Sequence, residues 1–362
     1  MPLLTVDARM VRSAGIGTYL QSLLPLLIRK KPGWQFRLLG REQELSGFDW
    51  ARAKNVRVIE AHSPIYGLRE QIELPRVIPV ETDLFWSPHY NIPLGWGGKL
   101  LVTVHDVFHL AMPQYTPGWH KRLYAKYLFF SLRRKASAIL SVSRFSKNEL
   151  LKYTGQAGCR PQVVYNGVDE DWFKVRRRHR PYARPYFLFV GSVKPHKNLS
   201  GLVEAFGRVK DRVPQDLVIV GKKEGFITGD RKIVEKAEGL GGRVHFTGDF
   251  HHDDPKFRQY YAWADALVLP SFYESFGLPP LEAMACGVPA LVSNLAALPE
   301  VYGNAVLYCD PYQPGDIAQK LLALSKDRGL RQRLIRKGKA RAKRYSWKKT
   351  ADRILGLMES LF

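Results

Sequence analysis

The sequence predicts an α/β fold of two doubly wound, Rossmann-like domains, and three observations carry that prediction. Short apolar runs of strand length alternate with helical periodicity through both halves of the 362-residue chain. The alternation stops at a basic, polar stretch, Arg176-Arg177-Arg178-His179-Arg180-Pro181, and then begins again. Several strand ends pass directly into loops bearing glycine or proline that open a helix, and such loops line the ligand crevice of an open parallel sheet.

Taken in order, residues 3–6 read as a strand, and the loop after it reaches Gly15-Ile16-Gly17-Thr18-Tyr19 before an apolar-periodic helix over 20–28. Glycines at a helix N-terminus let a backbone approach a ligand closely. Further strands are expected at 36–39, 56–59, 84–86, 100–104 and 138–142, with helical stretches between several of them. Pro88, His89, Tyr90 and Asn91 follow one strand end, and His105 and Asp106 follow another. Residues 161–169 read as a strand closed by an Asn-Gly turn.

After the basic stretch come a strand at 186–190, a turn at Gly191, a helix over 199–209, and strands at 217–220, 244–246 and 266–269. His251, His252, Asp253 and Asp254 read as a polar loop that starts a helix. Pro270 and Ser271 break the last of these strands. The helix that follows tolerates Pro279 and Pro280 in its first turn, where N–H groups lack intrahelical partners, and Gly287 with Pro289 ends it before a strand at 290–292. Residues 326–353 hold thirteen Lys and Arg against two Asp, which predicts a largely solvated helical face. Trp347 begins a last amphipathic helix with Ile354, Leu355, Met358 and Leu361 on its apolar side.

Composition narrows the function classes. Hydrophobic residues at 45% and charged residues at 25% are those of an ordered globular chain. The net charge of +23 predicts attraction to polyanions: nucleic acid, an anionic membrane surface, or phosphorylated substrates. Cys159, Cys286 and Cys309 show no metal-ligand spacing and suit a reducing compartment. Leu3, Leu4 and Val6 give way at once to Asp7 and Arg9, so no secretory leader is expected, and no apolar run is long enough to span a membrane. The expected location is cytoplasmic, with any membrane contact peripheral and from that side.

Two carboxylates are the first candidates for chemistry. Glu274 and Glu282, with seven residues between them, flank the N-terminus of the helix that follows the 266–269 strand. A carboxylate accepts hydrogen bonds from hydroxyls, and helix N–H groups attract phosphate, so a polyhydroxylated, phosphorylated ligand satisfies both. Residues 270–289 as a whole resemble the donor-binding phrase of retaining GT-B glycosyltransferases of family four, and the Gly15–Tyr19 loop is similar to their G-I-G-x-Y loop. Gly191-Ser192-Val193-Lys194-Pro195-His196-Lys197-Asn198 resembles their V-G-x-x-x-P-R-K-N phrase. Ser192 and His196 stand where arginines are common, which leaves the second cation beside Lys197 open, with Lys194 as a candidate.

The resemblance implies two domains facing across a cleft: residues 1–170 on the acceptor side, a linker at 171–183, a nucleotide-sugar domain at 184–346, and a helix at 347–362 packed back on the first domain. It assigns Glu274 to sugar hydroxyls with the amides of Phe276, Gly277 and Leu278, Glu282 to ribose hydroxyls, Lys197 to the diphosphate, and Gly15, Gly17 and Gly191 to donor loops. His105 would reach the donor sugar or the β-phosphate, and Asp106 would orient it or act as a base.

The implied donor is GDP-mannose; UDP-glucose or a dTDP- or GDP-linked deoxyhexose such as rhamnose is the alternative. The implied acceptor is a glycan or a polyprenyl-linked saccharide, and neither a metal nor another cofactor is expected. A dinucleotide-dependent oxidoreductase fits less well, because Gly15-Ile16-Gly17 is followed by leucine at position 20 where a third glycine is needed. A nucleic-acid binder lacks any recognition motif.

One segment stands outside this scheme. In His120-Lys121-Arg122-Leu123-Tyr124-Ala125-Lys126-Tyr127-Leu128-Phe129-Phe130 and on to Lys135, Leu123, Tyr127, Phe130 and Arg134 share a helical face with cations at both ends. Such a helix either packs that face on the sheet or lies at an anionic membrane interface.

Overall fold

Strands form where apolar residues run without interruption, because a parallel strand covered by helices on both sides has no wet face. The computed structural model describes residues 1–116, 118–221, 231–248, 250 and 254–362, the side chains of 231, 232 and 234 aside. It divides into two units, Met1–Gly167 with Trp347–Phe362, and Val168–Ser346.

The first unit alternates β1 (Leu3–Asp7), α1 (Ile16–Lys30), β2 (Gln35–Gly40), α2 (Glu42–Leu45), β3 (Val56–Glu60), α3 (Glu70–Val77) and β4 (Leu84–Ser87). It continues with β5 (Leu100–Val104), α4 (Phe108–Ala111), α5 (Trp119–Lys135), β6 (Ala138–Ser141), α6 (Arg144–Thr154) and β7 (Pro161–Val163). All seven strands are parallel, in the order β3-β2-β1-β4-β5-β6-β7. The chain reverses its direction of growth between β1 and β4, so the carboxyl ends of those two strands mark this sheet's switch point. The strand expected over 161–169 stops at Val163.

The second unit runs β8 (Tyr186–Val190), α7 (Leu199–Gly207), β9 (Asp216–Val220), α8 (Arg231–Glu238), β10 (Val244–Phe246), α9 (Pro255–Trp263) and β11 (Ala266–Leu269). Then come α10 (Leu278–Ala285), β12 (Ala290–Ser293), α11 (Leu298–Tyr302), β13 (Leu307–Cys309), α12 (Pro314–Lys326) and α13 (Arg328–Ala342). The order β10-β9-β8-β11-β12-β13 is again parallel and places the switch between β8 and β11.

Residues 171–183, expected as a linker, instead pack into this unit. Trp172 is buried edge-on against Tyr261, and Arg177 and Arg178 bond Ala262 and Gln259. The basic face near the end is not wholly solvated either: Arg331 donates to the carbonyls of Leu324 and Ser325, and Arg341 to those of Glu300 and Val301, where helix ends leave acceptors unpaired. Asp254 caps α9 by accepting from the Lys256 N–H, while His251, His252 and Asp253 lie outside the described residues.

The final helix, α14 (Trp347–Leu361), belongs to the first unit. Trp347, Ala351, Ile354, Leu355 and Met358 are buried, Trp347 meets Tyr19 of α1 edge-on, and Lys30 and Lys31 pair with Asp352 and Glu359. Among the described residues, no helix is long and apolar enough to cross a membrane.

Candidate active site

The switch point of the second sheet brings together two residues that the sequence could only name separately. Lys197 lies in the loop leaving β8, and Glu274 in the loop leaving β11; the Lys197 Nζ donates to Glu274 Oε1 at 2.6 Å. The Ser271 hydroxyl donates to the same oxygen at 2.8 Å. Glu274 is only 8% exposed, so these partners supply hydrogen bonds that water cannot.

The two loops are laced together by the chain itself. Asn198, in the left-handed region at φ 56°, sends its side-chain amide to the carbonyls of Pro270 (3.1 Å) and Pro311 (2.7 Å). The Phe272 N–H donates to the His196 carbonyl at 2.8 Å. Gly191 is held by its N–H on the Val220 carbonyl, and Lys194 projects at the exposed surface of the loop.

Glu282 projects from α10 and is 5% exposed. The hydroxyl of Tyr261 donates to its Oε2 at 2.6 Å. Burial and the adjoining Glu282 charge both raise the Tyr261 pKa, so this hydroxyl stays a donor. Gly277 caps α10 with φ 79°, and a Cβ there would meet the Tyr302 hydroxyl at 2.8 Å. Glycine is therefore required on two counts. Tyr302 donates to the Gly277 carbonyl, and burial and then both carboxylates raise its pKa. Phe276 is a core residue, edge-on to Tyr345, and Leu278 begins the helix.

In the first unit, Gly15 caps α1, and nothing lies near the position of a Cβ there. Gly17 is different. A Cβ would sit 2.6 Å from the Val11 carbonyl oxygen, so the close approach of the chain to itself already requires glycine here. Tyr19 is buried and packs edge-on against His105 at 4.9 Å.

His105 Nε2 faces the carbonyl of Pro88 at 3.0 Å. A carbonyl only accepts, so the proton is on Nε2 and Nδ1 carries the lone pair. Burial pushes this imidazole down to about 4 despite the neighbouring Asp106. Asp106 does not orient it by a hydrogen bond: its Oδ1 instead accepts from the Phe108 N–H at 2.9 Å, at the start of α4.

His196 is likewise pushed down to about 3, by burial and then by Lys197 and Lys194, so it is neutral and does not replace the arginine of the family phrase. Both histidines are depressed from an ordinary 6.5, so the unfolded chain binds protons before the folded one does. Stability is accordingly full above pH 6.5 and falls as pH drops from 6.5 toward 4, with at most about 3 kcal/mol from His105. Urea titrations at stepped pH check this. A His105→Gln variant should show a shallower decline, and an identical slope would refute it.

Sequence reasoning missed a second polar cluster, at the switch point of the first sheet. Arg9 Nε and Nη2 grip both oxygens of Asp7 at 2.8 and 2.6 Å, and Nη2 also reaches Glu70 at 3.0 Å. His89 Nε2 donates to Asp7 Oδ2 at 3.0 Å while its Nδ1 accepts from the Asn91 N–H, and Asn91 bonds Glu70. All of these side chains are buried. Burial by itself would raise Asp7, but the bonds from Arg9 and His89 outweigh it and hold the carboxyl well below its usual range; burial raises Glu70. An Asp and an Arg just past an apolar strand were the visible signal. Among the described residues, no group of three or more His, Cys, Asp or Glu is placed to hold a metal ion.

Comparison with known proteins agrees with this layout. Residues 15–172 match the family described as Glycosyltransferase Family 4, and residues 171–341 the family described as Glycosyl transferases group 1. The chain is 30% identical over 274 residues to O-antigen chain mannosyltransferase B of Escherichia coli, covering 73% of this chain and 71% of that protein. It is 30% identical over 229 residues to O-antigen chain mannosyltransferase RfbU of Salmonella typhimurium, covering 63% and 61%. Among solved structures, sucrose-phosphate synthase from Thermosynechococcus elongatus superposes with a TM-score of 0.82 at 19% identity over 100% of this chain and 99% of that one. Anabaena HepE in complex with UDP-glucose gives 0.76 at 17% over 99% and 100%.

Proposed function

Because the chain belongs to the GT-B glycosyltransferases of family four, we propose that it transfers mannose from GDP-mannose, with retention at the anomeric carbon, to a glycan or polyprenyl-linked saccharide. The observation that supports this most is the Lys197–Glu274 pair at the β8/β11 switch point. A nucleoside diphosphate arriving at the β8 loop offers Lys197 a more highly charged partner. The lysine then turns to the phosphates, assisted by Lys194 and by the amides at Phe276, Gly277 and Leu278, while Gly191, its N–H held by Val220, lets the loop pass close to them. Glu274 is thereby freed to accept from sugar hydroxyls, and Glu282, braced by Tyr261, accepts from the ribose.

In the proposed step the acceptor oxygen attacks the anomeric carbon on the face from which the phosphate departs. The bond from that carbon to the phosphate oxygen breaks, and a phosphate oxygen takes the acceptor's proton. No covalent enzyme residue and no metal ion take part; Lys197 and the amides stabilise the charge that develops on the phosphate. As the Nε2–H tautomer, His105 is suited to accept from a sugar hydroxyl through Nδ1 rather than to donate to the β-phosphate. Asp106 keeps its loop in place. Mannose is favoured by the names of the two bacterial relatives at 30% identity.

The test is a screen of purified protein against GDP-mannose, UDP-glucose, dTDP-rhamnose and NAD by thermal shift and slow donor hydrolysis, followed by assignment of the product's anomeric configuration. GDP and GDP-mannose should stabilise it most. Glu282→Ala should weaken donor binding about 10–100-fold with a smaller change in kcat, as expected for loss of charge-assisted bonds of roughly 1.5–3 kcal/mol. Preference for another nucleotide would replace the donor, and an inverted product would overturn the retaining step.

A further inference from the structure

Helix α5 has two apolar faces, and only one of them is used. Ala125, Leu128, Phe129 and Leu132 are buried in the core of the first unit. Trp119, Leu123, Tyr127 and Phe130 recur at intervals of four, four and three residues along the other side, and they are 74%, 56%, 60% and 44% exposed. This is the face that sequence periodicity could equally have packed on the sheet. A row of large apolar side chains left in water on one helix is a mark of an interaction surface.

The patch extends onto α3. The Gln71 side chain reaches the Tyr124 hydroxyl at 3.4 Å, so the two helices are neighbours; Ile72, next to Gln71, is 58% exposed, and Leu68, two residues ahead of α3, is 77% exposed.

The charge around this row has one sign. Residues 119–135 contain no Asp or Glu, and Lys121, Arg122, Lys126, Arg134 and Lys135 are exposed. Arg134 lies over the Phe130 ring at 4.2 Å. The acids of α3 are turned away: Glu70 is buried, and Glu73 accepts from the backbone N–H groups of His62 and Ser63.

We propose that this face docks on an anionic lipid bilayer, with the α5 row entering the headgroup boundary and the flanking cations meeting lipid phosphates. Aromatic and leucine side chains beside Lys and Arg suit that interface, where each basic group adds to the attraction. A second copy of the chain would oppose like charges across the same row, which disfavours self-association. The proposal does not depend on the identity of the donor, because vesicle binding is read without any sugar.

The experiment is co-sedimentation of the full chain with vesicles of phosphatidylcholine alone and of phosphatidylcholine with one-third phosphatidylglycerol, at low and high salt. Wild-type protein should bind the anionic vesicles, and added salt should weaken the binding. The Leu123→Glu/Tyr127→Glu variant, whose melting temperature should be unchanged because both side chains are exposed, should bind at least about tenfold more weakly. Arg122→Glu/Lys126→Glu should lose the preference for anionic lipid. Equal binding to both vesicle types, unaltered binding by the Leu123/Tyr127 variant, or no vesicle binding by wild type would each overturn the proposal. So would a dimer in light scattering that the Leu123/Tyr127 variant dissociates.

Discussion

Replacing Glu274 by alanine is expected to lower turnover about 10²–10³-fold, the range seen when a preorganised polar group at a reacting centre is removed. The reason lies in the Lys197–Glu274–Ser271 contact. In the proposed reaction Glu274 positions the sugar while Lys197 stabilises the departing phosphate, so each matters mainly in the transition state and kcat should fall more than KM rises. Lys197→Ala should be comparably damaging. The double variant should be little worse than the poorer single variant, because both serve one bond-breaking event. Initial rates of nucleotide release across the four proteins form the cycle. A Glu274→Ala enzyme within twofold of wild type would remove this residue from the site.

The second large effect is expected on stability. Arg9 is the cation among the buried groups Asp7, Glu70 and His89, and its own side chain is almost fully covered. Arg9→Met would leave two carboxylates in the interior without their partner. Breaking a buried ion network in this way costs about 3–5 kcal/mol. For a unit of this size that corresponds to roughly 10 °C in Tm, read by circular dichroism.

The pH dependence has a definite sign. Asp7 is held low in the folded state, chiefly by Arg9 acting against the effect of burial, so its stabilising contribution is present at neutral pH and is lost as pH falls below the ordinary value of 3.8. The gap between variant and wild type should therefore close in acid. A combined Asp7→Leu/Arg9→Met/Glu70→Leu protein, with no charge left to bury, should recover much of the loss. If Arg9→Met alone melts with wild type, the network contributes nothing to folding.

The contrast between these two clusters shows what a sequence reveals. Strands such as β8 and β9 were legible because every residue in them is apolar or nearly so, and the donor phrase was legible because its residues are contiguous. Lys197 and Glu274 were each visible, but their contact was not, since it arises from β8 and β11 becoming neighbours across the switch point. Asp7 and His89 meet over a separation of 82 positions for the same reason. Glu70 carried no signal at all: its role depends on α3 turning it inward toward Arg9.

The period of α5 makes it amphipathic, yet period alone does not say which of its two apolar stripes lies inside. Charge alone makes the basic stretch 176–181 look like a linker, but Arg177 and Arg178 bond Ala262 and Gln259, and Trp172 just before it is buried. The tyrosines that brace this site, Tyr261 on the Glu282 carboxylate and Tyr302 on the Gly277 carbonyl, come from helices with no motif of their own.

The return of α14 to the first unit makes that unit discontinuous along the chain, with Val168–Ser346 as an uninterrupted insert. Val168 and Ser346, the first and last residues of the insert, pair side by side in a parallel bridge. Its two ends therefore sit at one spot. A chimaera that exchanges residues 168–346 with those of a relative would need only two splice points lying next to each other. Removing the last sixteen residues instead would strip a layer from the opposite half and expose Tyr19, the ring that flanks His105.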